Sequence, residues 1–284
     1  MTSPTLLWGR GNDPHLEVVA NELARRSAPV VRLESDRGGV WPPGEFSGYR
    51  AFARRETWGD TCARPISRPE ALWFAHPARM YAAEDVLAQT NRAREFGFRT
   101  ARISSSADDG PKIGWLSKYR FRTDRPGIGA RTAWAPEVRC RQPGIVYQEF
   151  IDKSWEIRAS VVDDVVVAVL YRPASNREIL DWSFLEPASL ELMSVCLPRE
   201  MQRRVCALVR SYGLRFAAID FLLPKGESSL EESVFLELNP FAAWRWLDDL
   251  HAPTVTELIV DAFLRGDGGC LGARGISPAH QDCC

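Results

Sequence analysis

The sequence predicts a mixed α/β (α+β) protein with an N-terminal β-α-β unit and a C-terminal part that is rich in β-strands. Three observations lead to this prediction. Residues 5–33 alternate between apolar strand-like segments and a helical pattern, residues 198–212 form one amphipathic helical pattern, and two apolar strand segments follow that helix. A β-α-β unit usually builds a parallel sheet, whose faces are then covered by helices.

The β-α-β unit starts with an apolar strand at residues 5–8. Asp13 followed by Pro14 is typical of a helix start, because an acceptor side chain at the cap precedes a proline at the first helical position. A β-branched strand at residues 29–33 completes the unit.

In the next part of the chain, the residue pattern predicts loops and short strands at residues 35–70, a strand at 71–74, and a helix at 82–96. Gly97 ends that helix, since glycine tolerates positive φ. A polar, turn-rich segment at 104–111 is the candidate domain boundary. We therefore expect an N-terminal α/β domain at 1–104, a second unit at 105–265 and a flexible tail at 266–284.

Strands dominate the second unit. The pattern predicts a helix at 198–212 and a final helix from Thr254 to residue 264, where Glu257 completes a capping box. Asp163 and Asp164 predict a hairpin turn. The strands are expected at 113–121, 145–151, 156–161, 165–171, 216–223 and 233–238.

Composition excludes several classes of protein. The chain of 284 residues is 45% hydrophobic and 26% charged, with a net charge of −1, so no basic field favours nucleic acid. The seven cysteines form no metal-binding spacing. Without an apolar leader or a membrane-length apolar run, we expect a cytoplasmic protein with no nucleic-acid or membrane partner.

The segment at residues 235–240, Phe-Leu-Glu-Leu-Asn-Pro, carries the strongest chemical signal. Side chains alternate along a strand, so Glu237 and Asn239 are expected to share a face with Phe235, while the two leucines face the core. A carboxylate beside an amide oxygen suits Mg²⁺, which prefers hard oxygen ligands.

A second carboxylate, Asp220, lies among apolar residues of the preceding strand. If the two strands pair through the turn at 224–227, Asp220 joins Glu237 and Asn239 as a metal ligand. The alternative is that Asp220 and Glu237 are edge-strand charges that face solvent.

Two further motifs precede residues 235–240 in the sequence. Gln148-Glu149-Phe150-Ile151 places a polar pair inside an apolar strand, and Glu156 and Arg158 follow on one face of the next strand. Together with residues 235–240, this set resembles the ATP-grasp superfamily. The order and spacing of these motifs agree with that superfamily over residues 71–264. The resemblance implies an ATP-grasp fold, with a βαβ pre-ATP-grasp domain at 1–104 and the ATP-grasp central and C-terminal subdomains at 105–265.

Within the superfamily, the sequence is most similar to microviridin- and graspetide-type ligases, which link side chains of a ribosomal precursor peptide. The shared features are the opening β-α-β pattern, the pair Asp181-Trp182 and the Trp-rich residues 244–247. The chain departs from the family pattern at Ser183, at residues 241–243 and at Val86. These departures leave the substrate class open.

The resemblance also implies roles for individual residues. Lys118, or alternatively Lys112, would contact the ATP phosphates, and residues 127–129 would form a glycine lid or an ordinary turn. Arg158 and Arg172 would neutralise the charge of the phosphates or of the acyl phosphate. Asp181 would orient the nucleophile or the substrate, or alternatively would be an ordinary loop carboxylate. The hinge residues that would receive the nucleotide are Gln148, Glu149, Phe150 and Ile151.

The implied function is ligation of a carboxylate to an amine or a hydroxyl through an acyl phosphate, with ATP and Mg²⁺ as cofactors and a precursor peptide as partner. Three alternatives stay open: a ligase of free amino acids or small carboxylates, a carboxylate kinase that passes its acyl phosphate to another protein, and a nucleotide-binding protein without catalysis. A homodimer also stays open as the assembly state.

Overall fold

In the computed structural model, three β-sheets and six α-helices make up the described part of the chain. The described residues are 5–9, 13–34, 50–53, 72–73, 77–105, 115–119, 133–134, 145–175, 182 and 185–265. Residues 112, 127–129, 181 and 183, which the sequence singled out, lie outside these ranges, as does the predicted tail.

The N-terminal sheet is parallel, in the order β2-β1-β3-β4, as the β-α-β pattern predicts. The Asp13 carboxylate caps α1 by accepting from the backbone N–H groups of His15 at 2.8 Å and Leu16 at 3.4 Å. Its elements are β1 (Thr5–Gly9), α1 (Pro14–Arg25), β2 (Val30–Glu34), β3 (Arg50–Ala53) and β4 (Leu72–Trp73).

The helix predicted at residues 82–96 is present as α3 (Val86–Glu95), and a separate short helix, α2 (Pro77–Ala82), precedes it. The helix α3 begins later than predicted because the Asp85 side chain accepts from the backbone N–H groups of Leu87 and Ala88 and caps the helix there. Gly97 has a φ of +77°, as expected at the end of α3.

A four-stranded antiparallel sheet has the order β6-β9-β7-β8. Its two predicted strands, at 113–121 and 145–151, are represented by β7 and β9 within the described residues. The strands are β6 (Ile103–Ser104), β7 (Trp115–Tyr119), β8 (Ala133–Trp134) and β9 (Ile145–Glu149).

The largest sheet has six strands in the order β12-β11-β10-β13-β14-β5, antiparallel except for the β14–β5 pair. The predicted hairpin and the pairing of the two strands around residues 224–227 are both confirmed, whereas β12 was not predicted. The strands are β5 (Arg99–Thr100), β10 (Lys153–Val162), β11 (Val165–Pro173), β12 (Leu190–Val195), β13 (Phe216–Pro224) and β14 (Val234–Asn239).

Helices cover both faces of this sheet. On one face, α3 and α4 (Arg199–Ser211) pack against an apolar cluster that includes Ile157, Ile219 and Phe221. On the other face, α1 and α6 (Val255–Arg265) cover only one end of the strands, in a cluster around Trp244. A short helix, α5 (Arg245–Asp248), precedes α6. The other end of that face, beyond the α1–α6 cluster, carries polar side chains that are also largely buried.

The division at residue 104 stays a prediction. Before it, β5 pairs with β14 and α3 packs beside that strand, so these elements contribute to the six-stranded sheet. None of the helices within the described ranges is long and apolar enough to cross a membrane.

The capping box at the start of α6 is formed as predicted. The Glu257 carboxylate accepts from the Thr254 backbone N–H at 2.9 Å, and the Thr254 hydroxyl accepts from the Glu257 N–H at 3.0 Å. We predict that Thr254→Ala lowers the free energy of unfolding by about 1 kcal/mol in chemical denaturation, because it removes one of these acceptors. Thr254→Ser should retain it, and equal losses in both variants would contradict the cap.

Candidate active site

The end of this face beyond the α1–α6 cluster carries a row of charged side chains on three adjacent strands. In the β10–β13 pairing Arg158 lies opposite Asp220, and in the β13–β14 pairing Asp220 lies opposite Glu237. Residues that are directly opposite in an antiparallel sheet point to the same face. The row therefore brings together one predicted phosphate-binding residue and two of the predicted metal ligands.

Arg158 and Asp220 form a bidentate ion pair. Nε of Arg158 donates to Oδ1 of Asp220 at 2.8 Å and Nη2 donates to Oδ2 at 2.9 Å, with side-chain exposures of 11% and 3%. Burial acts to lower the pKa of Arg158, but the Asp220 carboxylate outweighs burial and the pKa is raised. The guanidinium is therefore a permanent positive charge at a fixed place.

Asn239 lies two residues beyond Glu237, opposite Ala218. Its Oδ1 accepts from the Phe241 backbone N–H at 3.0 Å, which holds the side chain in an Asx turn at the strand end. An amide oxygen has two lone pairs, so this contact leaves one of them for another ligand.

The bulge in β14 corrects the predicted strand faces. Asp220 lies opposite Glu237 but Phe221 lies opposite Phe235, so Leu236 is the extra residue. Phe235 is consequently buried in the apolar cluster and not in the row of Glu237, while Leu236 is only partly buried. The expected alternation was wrong N-terminal to Glu237 because one inserted residue inverts every face before it.

A second group of polar side chains, which the sequence did not assign to the site, lies beside the row. Glu156 lies opposite Tyr171 and accepts a hydrogen bond from its hydroxyl, and the Lys153 ammonium is ion-paired with Glu156. A bulge between Lys153 and Trp155 brings Lys153 to the Glu156 side. Only the shared face of Glu156 and Arg158 hinted at this group in the sequence.

Burial governs the charges of this second group. It raises the pKa of Glu156, which Lys153 offsets only in part, and it raises the pKa of Tyr171 well above the usual value with help from the Glu156 charge. The Tyr171 hydroxyl therefore stays protonated and donates to Glu156 throughout the neutral pH range.

Two tryptophans contact the cations of the site. The Arg158 guanidinium carbon is 5.7 Å from the Trp246 ring centroid, and Lys153 Nζ is 4.3 Å from that of Trp182. Trp244, by contrast, is fully buried and donates from Nε1 to the Thr256 hydroxyl at 3.0 Å. Trp182 and Trp246 thus lie beside the charged row, whereas Trp244 belongs to the core.

Arg172 is not brought together with this set. Its neighbour Tyr171 occupies the site face, so alternation along β11 directs Arg172 to the opposite face. There its Nε donates to Glu191 at 2.7 Å and its guanidinium carbon lies 4.2 Å from the Trp155 ring centroid. This cation is exposed to solvent and remote from the face of Asp220.

The other predicted nucleotide contacts lie on the four-stranded sheet. Leu116 is opposite Gln148 and Lys118 is opposite Val146, so Lys118 and Gln148 share one face. Gln148 is 2% exposed, and among the residues that the structure describes its Nε2 has no hydrogen-bond partner. A buried donor without an acceptor costs free energy, so a ligand acceptor at this position fits the site.

The hinge residues lie at the end of β9 and in the short link that follows it. The Glu149 carboxylate forms an ion pair with Arg102 at 2.9 Å, and the Glu149 backbone N–H donates to the Arg102 carbonyl at 2.9 Å. Phe150 and Ile151 are partly buried in the short link to β10. The Glu149 N–H is therefore already used within the protein and is not available to a nucleobase.

The donor set fits a magnesium ion in chemical type. Among the residues the structure describes, no group of three or more His, Cys, Asp or Glu side chains is arranged to hold a metal. The row instead combines two carboxylates with the Asn239 amide oxygen. The oxygens of Asp220 each accept one hydrogen bond from Arg158 and retain further lone pairs.

Several solved structures are similar to this chain in fold. No protein-family model and no curated protein matches the sequence. The macrocyclase MdnC of Microcystis aeruginosa, bound with precursor peptide MdnA, matches with a TM-score of 0.69 at 17% identity over 93% of this chain and 100% of that chain. A RiPP-associated ATP-grasp ligase of Chryseobacterium gregarium, in complex with ADP and a leader and core peptide, matches with a TM-score of 0.65 at 14% identity over 92% and 96%.

The chain has the ATP-grasp fold. The D-alanine–D-alanine ligase of Bacillus anthracis, complexed with ATP, matches with a TM-score of 0.61 at 13% identity over 93% of this chain and 98% of that chain. At sequence identities of 13–17%, structural similarity establishes the fold alone. That fold is the ATP-grasp fold predicted from residues 148–158 and 235–240.

The buried ion pair generates a stability prediction. We expect Asp220→Asn to lower the free energy of unfolding by about 3–5 kcal/mol, because the Arg158 charge is left buried without its partner. The double variant Arg158→Met/Asp220→Leu should recover most of this loss, since an apolar pair leaves no charge unpaired. Chemical denaturation of Arg158→Met, Asp220→Leu and the double variant gives the coupling, and additive losses would contradict a buried pair.

Proposed function

We propose that this protein is an ATP-dependent ligase that joins a carboxylate to an amine or a hydroxyl through an acyl phosphate, with side chains of a ribosomal precursor peptide as its substrate. The observation that carries the proposal is the row Arg158, Asp220 and Glu237, which puts a fixed cation and oxygen ligands side by side on one face of an ATP-grasp fold. Phosphoryl transfer requires mainly positioning and charge neutralisation, and this row offers both.

The nucleotide would be held from the four-stranded sheet. Lys118 would bind the phosphates, Gln148 would donate its unpaired N–H, and the backbone of Glu149 and Ile151 would receive the adenine. Across the link, Glu237 and Asn239 would hold Mg²⁺ with the remaining lone pairs of Asp220. The ion would neutralise phosphate charge and orient the transferred group.

The chain's own charges would then serve the substrate. Arg158 stays protonated because its pKa is raised, so its charge persists as negative charge develops on the transferred phosphoryl group. Lys153 and Arg158 are the cations at this end of the sheet, and each is ion-paired with a carboxylate, so a bound Mg²⁺ would add the further positive charge that an anionic substrate requires. Asp181 remains a candidate for orienting the nucleophile, and Arg172 is left out of the proposed set because it lies on the opposite face.

The proposed reaction has two steps. A substrate carboxylate oxygen attacks the γ-phosphorus of ATP, the bond to the β-γ bridging oxygen breaks, and ADP leaves an acyl phosphate behind. An amine or a hydroxyl then attacks the carbonyl carbon, inorganic phosphate leaves, and the proton of the nucleophile passes to a base. The net change in the joined substrate is the loss of one water.

A peptide substrate is supported by the structural neighbours, since the Microcystis enzyme is bound with a precursor peptide and the Chryseobacterium enzyme with a leader and core peptide. A ligase of free amino acids is the second candidate, because the D-alanine–D-alanine ligase has the same fold. The departures at residues 241–243 and Val86 are consistent with a third candidate, a nucleotide-binding protein without catalysis.

The test is incubation with MgATP and a Thr/Ser- and Asp/Glu-rich peptide encoded beside this chain, followed by mass spectrometry. We expect the loss of one water for each bond formed, and Glu237→Gln should abolish it while the protein stays folded. Glu232→Gln, which removes an exposed carboxylate just before β14, is the matched control and should retain activity.

Other outcomes would favour another candidate function or contradict the metal assignment. ADP release with free amino acids and none with the peptide favours the second candidate. Tight MgATP binding without ADP release from any substrate favours the third. If Glu237→Gln turned over ATP at the wild-type rate, the metal assignment would be wrong.

Gln148 provides a separate test of the nucleotide site. We predict that Gln148→Leu weakens ADP binding by about 3–10-fold in titration calorimetry, because one hydrogen bond to the ligand is lost. The nucleotide-free variant should keep its free energy of unfolding to within about 1 kcal/mol, since Nε2 has no protein partner to lose. Unchanged ADP affinity would place Gln148 outside the nucleotide site.

A further inference from the structure

The strand that carries Glu237 and Asn239 is paired incompletely on one side. β13 accompanies β14 along its length, but on the other edge β5 pairs only with Val234 and Phe235. In the part of the chain that the structure describes, no strand continues this edge towards Asn239. The bulge at Leu236 falls where the strand partner on this edge ends.

Beyond Phe235, the side-chain amide of Gln89 hydrogen-bonds to this edge of β14 as the backbone of a neighbouring strand would. Oε1 of Gln89, from α3, accepts from the Leu238 backbone N–H at 2.9 Å, and Nε2 donates to the Leu238 carbonyl at 2.8 Å. Nε2 donates its second proton to the Ala83 carbonyl. Gln89 is 2% exposed, so these bonds are made away from water.

The contact acts on the residue between the two proposed ligands. Glu237 and Asn239 flank Leu238, whose side chain is fixed in the apolar cluster while its backbone is fixed by Gln89. A shift of Leu238 relative to α3 would move the side-chain oxygens of Glu237 and Asn239 relative to Asp220. Ligand geometry within about 0.5 Å of the productive arrangement is what a metal or catalytic site requires.

We propose that Gln89 is a positioning residue for the divalent cation. It fixes the backbone of β14 at Leu238 and so sets the separation of Glu237 and Asn239 from Asp220. This inference rests on the proposed function, because it assigns the row as the cation site. Gln89 touches neither the cation nor the nucleotide in this proposal, so its substitution changes affinity for the metal and leaves metal-free nucleotide binding intact.

The variants are chosen to separate positioning from general stability. Gln89→Met keeps the length and removes both bonds to Leu238, and Gln89→Asn keeps an amide that is one methylene too short, which covers the case in which Gln89→Met does not fold. Thr90→Val is the matched control. Thr90 is fully buried on the same helix and its hydroxyl donates to the Val86 carbonyl at 2.8 Å, so the control loses a buried hydrogen bond without touching β14.

The measurement is Mn²⁺ binding to the full chain in the presence of ADP, followed by electron paramagnetic resonance, with ADP affinity in chelator measured by calorimetry. We expect both Gln89 variants to bind Mn²⁺ at least about 10-fold more weakly, as is typical when a residue supporting metal ligands is removed. Their metal-free ADP affinity should stay within about twofold of wild type, and Thr90→Val should match wild type in both measurements.

Two results would overturn the inference. Mn²⁺ affinity of the Gln89 variants within twofold of wild type would show that β14 holds its position without the amide. An equal loss in Thr90→Val would assign the effect to lowered stability. A wild-type protein that binds no Mn²⁺ with ADP, or a Glu237→Gln variant that binds it normally, would instead contradict the proposed function itself.

Discussion

The pairing of Arg158 with Asp220 is the interaction on which the site depends. The two residues are 62 positions apart in sequence, yet their side chains meet through two hydrogen bonds across β10 and β13. Either charge alone would be costly in this buried position, so the pair holds the two strands in one register. Apolar residues of similar volume often give equal or greater stability, so the particular contribution of this pair is a charge at a defined place.

The six-stranded sheet divides its two faces between packing and chemistry. One face is apolar throughout its centre and is covered by α3 and α4, while α1 and α6 cover only one end of the other face. The charged row and the group around Glu156 occupy the remaining end. Irregular strands support this division, because the bulges near Lys153 and Leu236 bring Lys153 to the polar face and keep Phe235 in the core.

The ATP-grasp fold is shared with ligases at 13–17% sequence identity, which is explained by what the fold requires. Burial needs apolar residues at the correct period and does not need particular ones. Substrate choice depends on individual side chains in a site and not on the fold, and Lys153, Trp182 and Trp246 are side chains of this chain that lie beside the charged row.

The sequence by itself determined the features that rest on neighbouring residues: the cap at Asp13, the capping box at Thr254 and the pairing of β13 with β14. Its ordered motifs also identified Asp220 and Glu237 as members of one site. Only the tertiary structure decided which side chains meet over long separations, such as Gln89 with Leu238, 149 positions apart. The physical reason is strand register, because a single bulge or a one-residue offset moves a side chain to the opposite face.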